Sequence, residues 1–258
     1  MRERFLALLL LVGLLPTAAL ADAVIFVPGY LSYGHSFRHH GVTQPLLADG
    51  WEDGGNWVLT AHGPRPDRPP RGGVDRFYTV ELPNEAPLSI QLGHLVTYVE
   101  AIARLHEGEP LTLVGHSAGG VLARYLMVSR PDLPVVRLIT IASPHAGSQM
   151  AEIAAHLGET PLGALGPMLG MQRFNHALPL YRDLSPAYPG TLLDWLNRSP
   201  HPPADYISVI RLDDPFIERW SQDMNYVPAL AGRSRMIASR GGHGLEYHDG
   251  LLLVRLLR

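Results

Sequence analysis

Ser117 stands in Gly115-His116-Ser117-Ala118-Gly119-Gly120. Directly before it runs the apolar stretch Leu111-Thr112-Leu113-Val114, and directly after it Val121-Leu122-Ala123-Arg124-Tyr125-Leu126-Met127, which has helical spacing. A serine caught in a sharp strand-to-helix turn needs neighbours two residues away on either side that are nearly free of side chain, so that the backbone can pass close to itself; Gly115 and Gly119 meet that need. Such a turn lifts the hydroxyl clear of the sheet. It also puts the Ala118 N–H at the start of a helix, where an unpaired donor and the positive end of the helix dipole stabilise negative charge developing on an oxygen. The chemistry this suits is nucleophilic attack on an acyl carbon. A G-x-S-x-G string alone arises by chance in a chain with 26 glycines; the strand before this one and the helix after it set it apart.

A serine hydroxyl is a weak nucleophile until a base takes its proton, and the base needs a carboxylate to hold its tautomer. Tyr206–Arg211 reads as a strand, with Asp213-Asp214-Pro215-Phe216-Ile217 at its C-terminal end, where open α/β sheets gather their functional groups. Arg235–Ser239 reads as the last strand, followed by Arg240-Gly241-Gly242-His243-Gly244. His243 is the candidate base, because a Gly-rich loop after a strand can aim it at Ser117. His248 falls in a terminal helix and reads as a surface residue. Asp213 and Asp214 are adjacent, and in extended backbone they point opposite ways, so one can face the histidine while the other caps a turn. Asp223 and Asp249 are more remote candidates. Among 13 histidines, His145 is read as shaping the site floor. His35, His39 and His40 fit no zinc spacing and have no partner cysteine, so they read as a solvated loop; no metal and no cofactor are expected.

Positioning these groups requires a frame. Short β-type runs alternate with longer helical patterns, which argues for a mostly parallel sheet flanked by helices. The expected strands are Ala23–Val27, Trp57–Ala61, Leu111–Val114, Val135–Ile141, Tyr206–Arg211 and Arg235–Ser239, and the expected helices Leu88–Leu105, Val121–Ser129 and Leu245–Leu257. Phe77–Leu82 is a further extended run without an assigned role. Gly63–Gly73, with Pro64, Pro66, Pro69 and Pro70, reads as a stiff exposed loop. From Ser143 to about Pro203, roughly sixty residues rich in Leu, Met, Ala, Gly and Pro interrupt the alternation, and an insertion of that size usually has a job. Breaks at Gly158, Gly163, Gly166 and Gly170 suit short helices with flexible joints, a cap or lid that shuts over Ser117 in water and opens its apolar face to an oil surface.

The order Ser117, aspartate, His243 and four segments together resemble the α/β-hydrolase superfamily, and within it the secreted bacterial triacylglycerol lipases and lipase-like esterases. Gly115–Gly120 is similar to the GHSxGG elbow of those proteins, Ser143-Pro144-His145-Ala146-Gly147-Ser148 to their TPHxGS segment, and Gly242-His243-Gly244-Leu245 to their GHxxL. Phe26-Val27-Pro28-Gly29-Tyr30 is similar to the strand-then-HG segment whose next residue supplies the second oxyanion donor, although Pro28 stands where those lipases usually have histidine. The resemblance implies an α/β-hydrolase fold with a helical cap, oxyanion donors at the Tyr30 and Ala118 N–H groups, and Asp214 as the acid, since Asp214-Pro215-Phe216-Ile217 resembles a D-x-x-V segment. It implies cleavage of carboxylic esters through an acyl-enzyme, with an ester or lipid as substrate, at a lipid–water interface if the cap is a lid. A thioesterase and a polyester depolymerase fit the same residues. From a different class, so does a non-catalytic hydrolase-fold binding or folding factor.

Composition narrows the setting. Arg2 and Arg4, the apolar stretch Phe5 to Leu15, Pro16 and Ala19-Leu20-Ala21 follow the order of a signal peptide cleaved after Ala21, leaving one domain over residues 22–258 that is secreted or periplasmic. That apolar core is shorter than the roughly 20 residues of a membrane span, so no stable anchor is expected after cleavage. With no cysteine, neither a disulfide framework nor a lipid-bearing cysteine is available. A net charge of −3 without a basic run disfavours nucleic acid as a partner.

Overall fold

The computed structural model describes residues 23–69, 75–159 and 176–258. The expected leader and the joints at Gly163, Gly166 and Gly170 lie outside those residues. Eight strands form one sheet: β1 Ala23–Val27, β2 Glu52–Thr60, β3 Gly63–Pro66, β4 Arg76–Val80, β5 Leu111–His116, β6 Val135–Ile141, β7 Asp205–Arg211 and β8 Ser234–Ser239. Their spatial order is β3-β2-β4-β1-β5-β6-β7-β8, and every pairing is parallel except that of β2 with β3.

A parallel strand in mid-sheet is buried on both faces, and β1 shows it residue by residue. Ala23, Ile25 and Val27 join one apolar cluster while Val24 and Phe26 join another. The first cluster holds α3 (Leu88–Leu105) and α4 (Ala118–Ser129) against the sheet through Val99, Ile102, Leu122 and Leu126. On the opposite face α1 (Ser36–His39), α2 (Thr43–Ala48) and the terminal helix Tyr247–Leu257 pack through Phe37, Leu46, Leu253 and Leu257.

Three local expectations change. The run Phe77–Leu82 becomes β4, wholly buried between β2 and β1. β2 begins at Glu52 rather than Trp57, because Gly54 and Gly55 are absorbed in a register shift between Asp53 and Asn56. Gly63–Pro66, expected as loop, pairs antiparallel with β2 as the outermost strand, a place where proline's missing N–H costs no ladder bond. Within the insertion, short helices do form: α5 Gln149–Glu159, α6 Leu178–Asp183 and α7 Leu192–Arg198. Gly158 lies inside α5 rather than between helices. Ala151, Leu180, Leu193 and Leu196 belong to the same cluster as α3 and α4, so these parts of the insertion are fastened to the core.

Because β1, β5, β7 and β8 run in one direction, the loops after all four open on the same edge of the sheet. Those loops carry Tyr30, Ser117, Asp214 and His243.

Candidate active site

Ser117 lies between β5 and α4 with φ 54° and ψ −130°, a conformation that a residue with a side chain rarely holds. Its N–H donates to the Ile141 carbonyl at 2.9 Å, and its own carbonyl accepts the Gly120 N–H at 3.0 Å. The flanking glycines answer to direct contact. A Cβ on Gly115 would come 2.4 Å from the Gly120 Cα, and one on Gly119 would come 2.3 Å from the Val27 carbonyl oxygen.

The loop after β1 rests on this elbow. A Cβ on Gly29 would lie 2.8 Å from the Ser117 Cβ and 3.2 Å from the Ala118 nitrogen, so the loop that carries Tyr30 packs against the elbow without a histidine at position 28, and Tyr30 and Ser117 line one cavity. Neither the Tyr30 nor the Ala118 N–H has an acceptor among the described residues. Donors without an acceptor, one on the elbow and one on the loop packed against it, are of the kind an oxyanion requires.

The ring of His243 bridges serine and acid. Its Nε2 lies 2.9 Å from Ser117 Oγ and its Nδ1 2.8 Å from Asp214 Oδ2. An ionised carboxylate only accepts, so Nδ1 carries the proton and Nε2 is left to accept from the serine. The Asp214 side chain is wholly buried, and its Oδ1 accepts the Phe216 and Ile217 N–H groups at 2.8 and 3.1 Å. Burial pushes this carboxyl upward, but the hydrogen bond from His243 and those backbone donors outweigh it, so its pKa falls below the ordinary value. The acid is thereby kept charged where an imidazolium would form.

Of the rival carboxylates, Asp213 is exposed and, among the described residues, accepts a long 3.4 Å bond from the Gly241 N–H. Asp223 caps a 3-10 turn through the Asn225 N–H at 2.9 Å. Asp249 is paired with Arg211 at 2.5 Å, both buried. His248 is exposed. His145 is buried, held 3.0 Å from Thr140 Oγ1, and burial keeps it well below the usual histidine range; it follows Pro144, which lines the pocket. His35, His39 and His40 form no metal-holding cluster among the described residues.

Ser117 and His243 open on a cavity of about 470 Å³, within the range of small-molecule sites, walled by Ala151, Leu184 and Ile217. At its mouth Leu31, Met150 and Phe216 are each about half exposed (51, 48 and 51%), a greasy rim. Tyr181 of α6 lines the same cavity and its hydroxyl donates to that of Tyr30 at 2.7 Å, tying the insertion to the loop after β1. Asp183, two residues on, accepts the Leu88 N–H at 2.7 Å. This half of the insertion is a pinned pocket wall.

Sequence reasoning missed three buried polar groups around the site: His116, Arg211 and Arg124. Arg124 links α4 to the 143–148 loop and to α7 through the His145 carbonyl (3.1 Å) and Asn197 Oδ1 (2.7 Å), and burial lowers its pKa to about 9. The available signal was a charge inside an apolar helix or strand, where burial requires a partner.

A protein family described as a PGAP1-like alpha/beta domain matches residues 77–157, the segment that holds the elbow. Over 66 residues the chain is 33% identical to triacylglycerol lipases of Pseudarthrobacter phenanthrenivorans and Burkholderia plantarii, 26% of this chain in each case. The chain spans only 20% and 18% of the length of these relatives. Among solved structures, the mature form of the Bacillus licheniformis lipase BlEst2 aligns with a TM-score of 0.55 at 14% identity, over 93% of this chain and 91% of that one. The lin2722 gene product of Listeria innocua aligns at 0.58 and 12%, over 86% and 85%. At such identities the likeness is one of fold: the α/β-hydrolase fold expected from the sequence.

Proposed function

We propose that this lipase-like α/β-hydrolase cleaves carboxylic esters, with Ser117 as nucleophile, His243 as general base and acid, and Asp214 as the carboxylate that orients and charges the imidazole. The hydrogen-bonded chain from Ser117 Oγ through His243 to Asp214, at 2.9 and 2.8 Å, carries the reading. His243 takes the serine proton as Oγ attacks the carbonyl carbon, and the Tyr30 and Ala118 N–H groups receive the oxyanion. The imidazolium then protonates the departing alcohol, leaving an acyl-serine. Water, deprotonated by the same Nε2, releases the acid and restores the serine.

The apolar cavity and the exposed Leu31, Met150 and Phe216 favour esters with an aliphatic acyl chain. Residues 1–21 are proposed to direct export, with residues 22–258 acting as one domain outside the cytoplasm.

The test is hydrolysis of p-nitrophenyl esters of rising acyl length by the protein and by its Ser117→Ala variant, beside labelling with a serine-reactive fluorophosphonate. Stoichiometric labelling and hydrolysis, both abolished by the substitution, are expected. Labelling that survives in Ser117→Ala refutes the assignment of the nucleophile; a folded native chain that neither labels nor hydrolyses favours a binding role. Carrying the series past the solubility limit of a medium-chain ester tests the lid. A rate that climbs at that limit speaks for interfacial opening, and smooth saturation for the pinned wall that α6 forms.

A further inference from the structure

The loop that presents His243 leaves β8, an edge strand, and residues 240–244 are all exposed or half-buried. A base on so open a loop would wander, and a misplacement of about 1 Å is enough to cost on the order of 10² in rate. Yet three carbonyls of this loop are gripped by two buried side chains. Arg211, the last residue of β7 and wholly buried, extends Nη1 to the Arg240 carbonyl (3.3 Å) and to Ser239 Oγ (3.0 Å). Its Nη2 reaches the Gly244 carbonyl at 3.4 Å and both carboxylate oxygens of Asp249 at 2.5 and 2.6 Å. The third grip is His116, whose Nε2 lies 2.7 Å from the carbonyl oxygen of His243 itself. A carbonyl only accepts, so that nitrogen carries the proton.

The two anchors sit in telling places. His116 is one peptide bond from Ser117, and Arg211 is three residues before Asp214. We infer that His116 and Arg211 are positioning residues for the general base: they hold the His243 loop by its carbonyls, in register with the nucleophile on one side and with the acid on the other. This rests on the reading of Ser117, His243 and Asp214 as a triad. Asp249 completes the device by neutralising a guanidinium that would otherwise be buried as a lone charge.

The experiment exploits the two duties of His243. An ester with an activated aryl alcohol departs without a proton, whereas an alkyl ester of the same acid needs one delivered to its leaving oxygen. Full-length His116→Leu is compared with His116→Gln, whose amide N–H reaches the same carbonyl, using both esters and counting active sites by fluorophosphonate titration. His116→Leu is expected to lower kcat/KM, which reports acylation alone, by about 10² for the alkyl ester and by about tenfold for the aryl ester, with His116→Gln restoring most of both losses. Arg211→Lys, which keeps a charge for Asp249 but loses the forked reach, should show the same asymmetry. If it fails to fold, the His116 pair decides alone. Equal losses on both esters, or a Gln variant as impaired as the Leu variant, overturn the inference and leave these groups structural. Retained activity in Ser117→Ala would instead overturn the triad beneath it.

Discussion

Substituting Ser117 by glycine rather than alanine separates the conformational cost of the elbow from its chemistry. Both changes remove the hydrogen bond to His243 Nε2, so its loss cancels in the comparison. What differs is the Cβ, which alanine keeps at φ 54° and ψ −130° and glycine does not. A residue held in such a region stores about 1–3 kcal/mol. The freer unfolded chain of glycine offsets about 0.5–1 kcal/mol of the relief. Ser117→Gly should therefore exceed Ser117→Ala in stability by up to about 2.5 kcal/mol, a Tm higher by up to about 10 °C for a domain of this size. Paired scanning calorimetry in one buffer reads the difference, while both variants lose on the order of 10⁶ in turnover. If the glycine variant melts below the alanine variant, the elbow stores less strain than the entropic cost of glycine and the reasoning fails; if either keeps more than about one percent of the rate, Ser117 is not the nucleophile.

Asp214→Asn should cost about 10⁴ in kcat by favouring the wrong imidazole tautomer, whereas Asp213→Asn, at an exposed carboxylate, should leave kcat within about twofold; the opposite ranking moves the acid by one position. The depressed pKa of Asp214 also makes a claim about acid stability. A carboxylate whose folded pKa lies below its unfolded value contributes stability that is present above that value and lost as pH falls through the folded pKa. Melting curves below pH 3.8, the ordinary value for this group, should show a steeper fall for the native chain than for Asp214→Asn, and parallel curves would refute the shift.

The juxtaposition of Ser117 and His243 could be read from local pattern because glycines punctuate the chain wherever strand must give way to turn, as at Gly115, Gly119, Gly241, Gly242 and Gly244. The choice of Asp214 over Asp213 rested on resemblance, since two adjacent carboxylates differ only in which way the backbone turns them. That direction is set by the Phe216 and Ile217 N–H groups gathered around one of them. β4 carries no alternating signal because Arg76–Val80 has the unalternating character of a strand buried on both faces. β3 was missed because Pro64 and Pro66 disqualify an inner strand but not an edge. Arg211 escaped notice for a related reason. A charge closing an apolar run looks like the point where a strand meets water, and its partner Asp249 lies 38 residues away.

The order in which the groups lie along the chain has a consequence for biosynthesis. A ribosome delivers the elbow first, the acid nearly a hundred residues later, and the base with its Asp249 anchor later still. On the proposed function, Ser117 gains its base only once β8 and the helix behind it have joined the sheet, so a chain cut short of residue 243 would be inert toward esters.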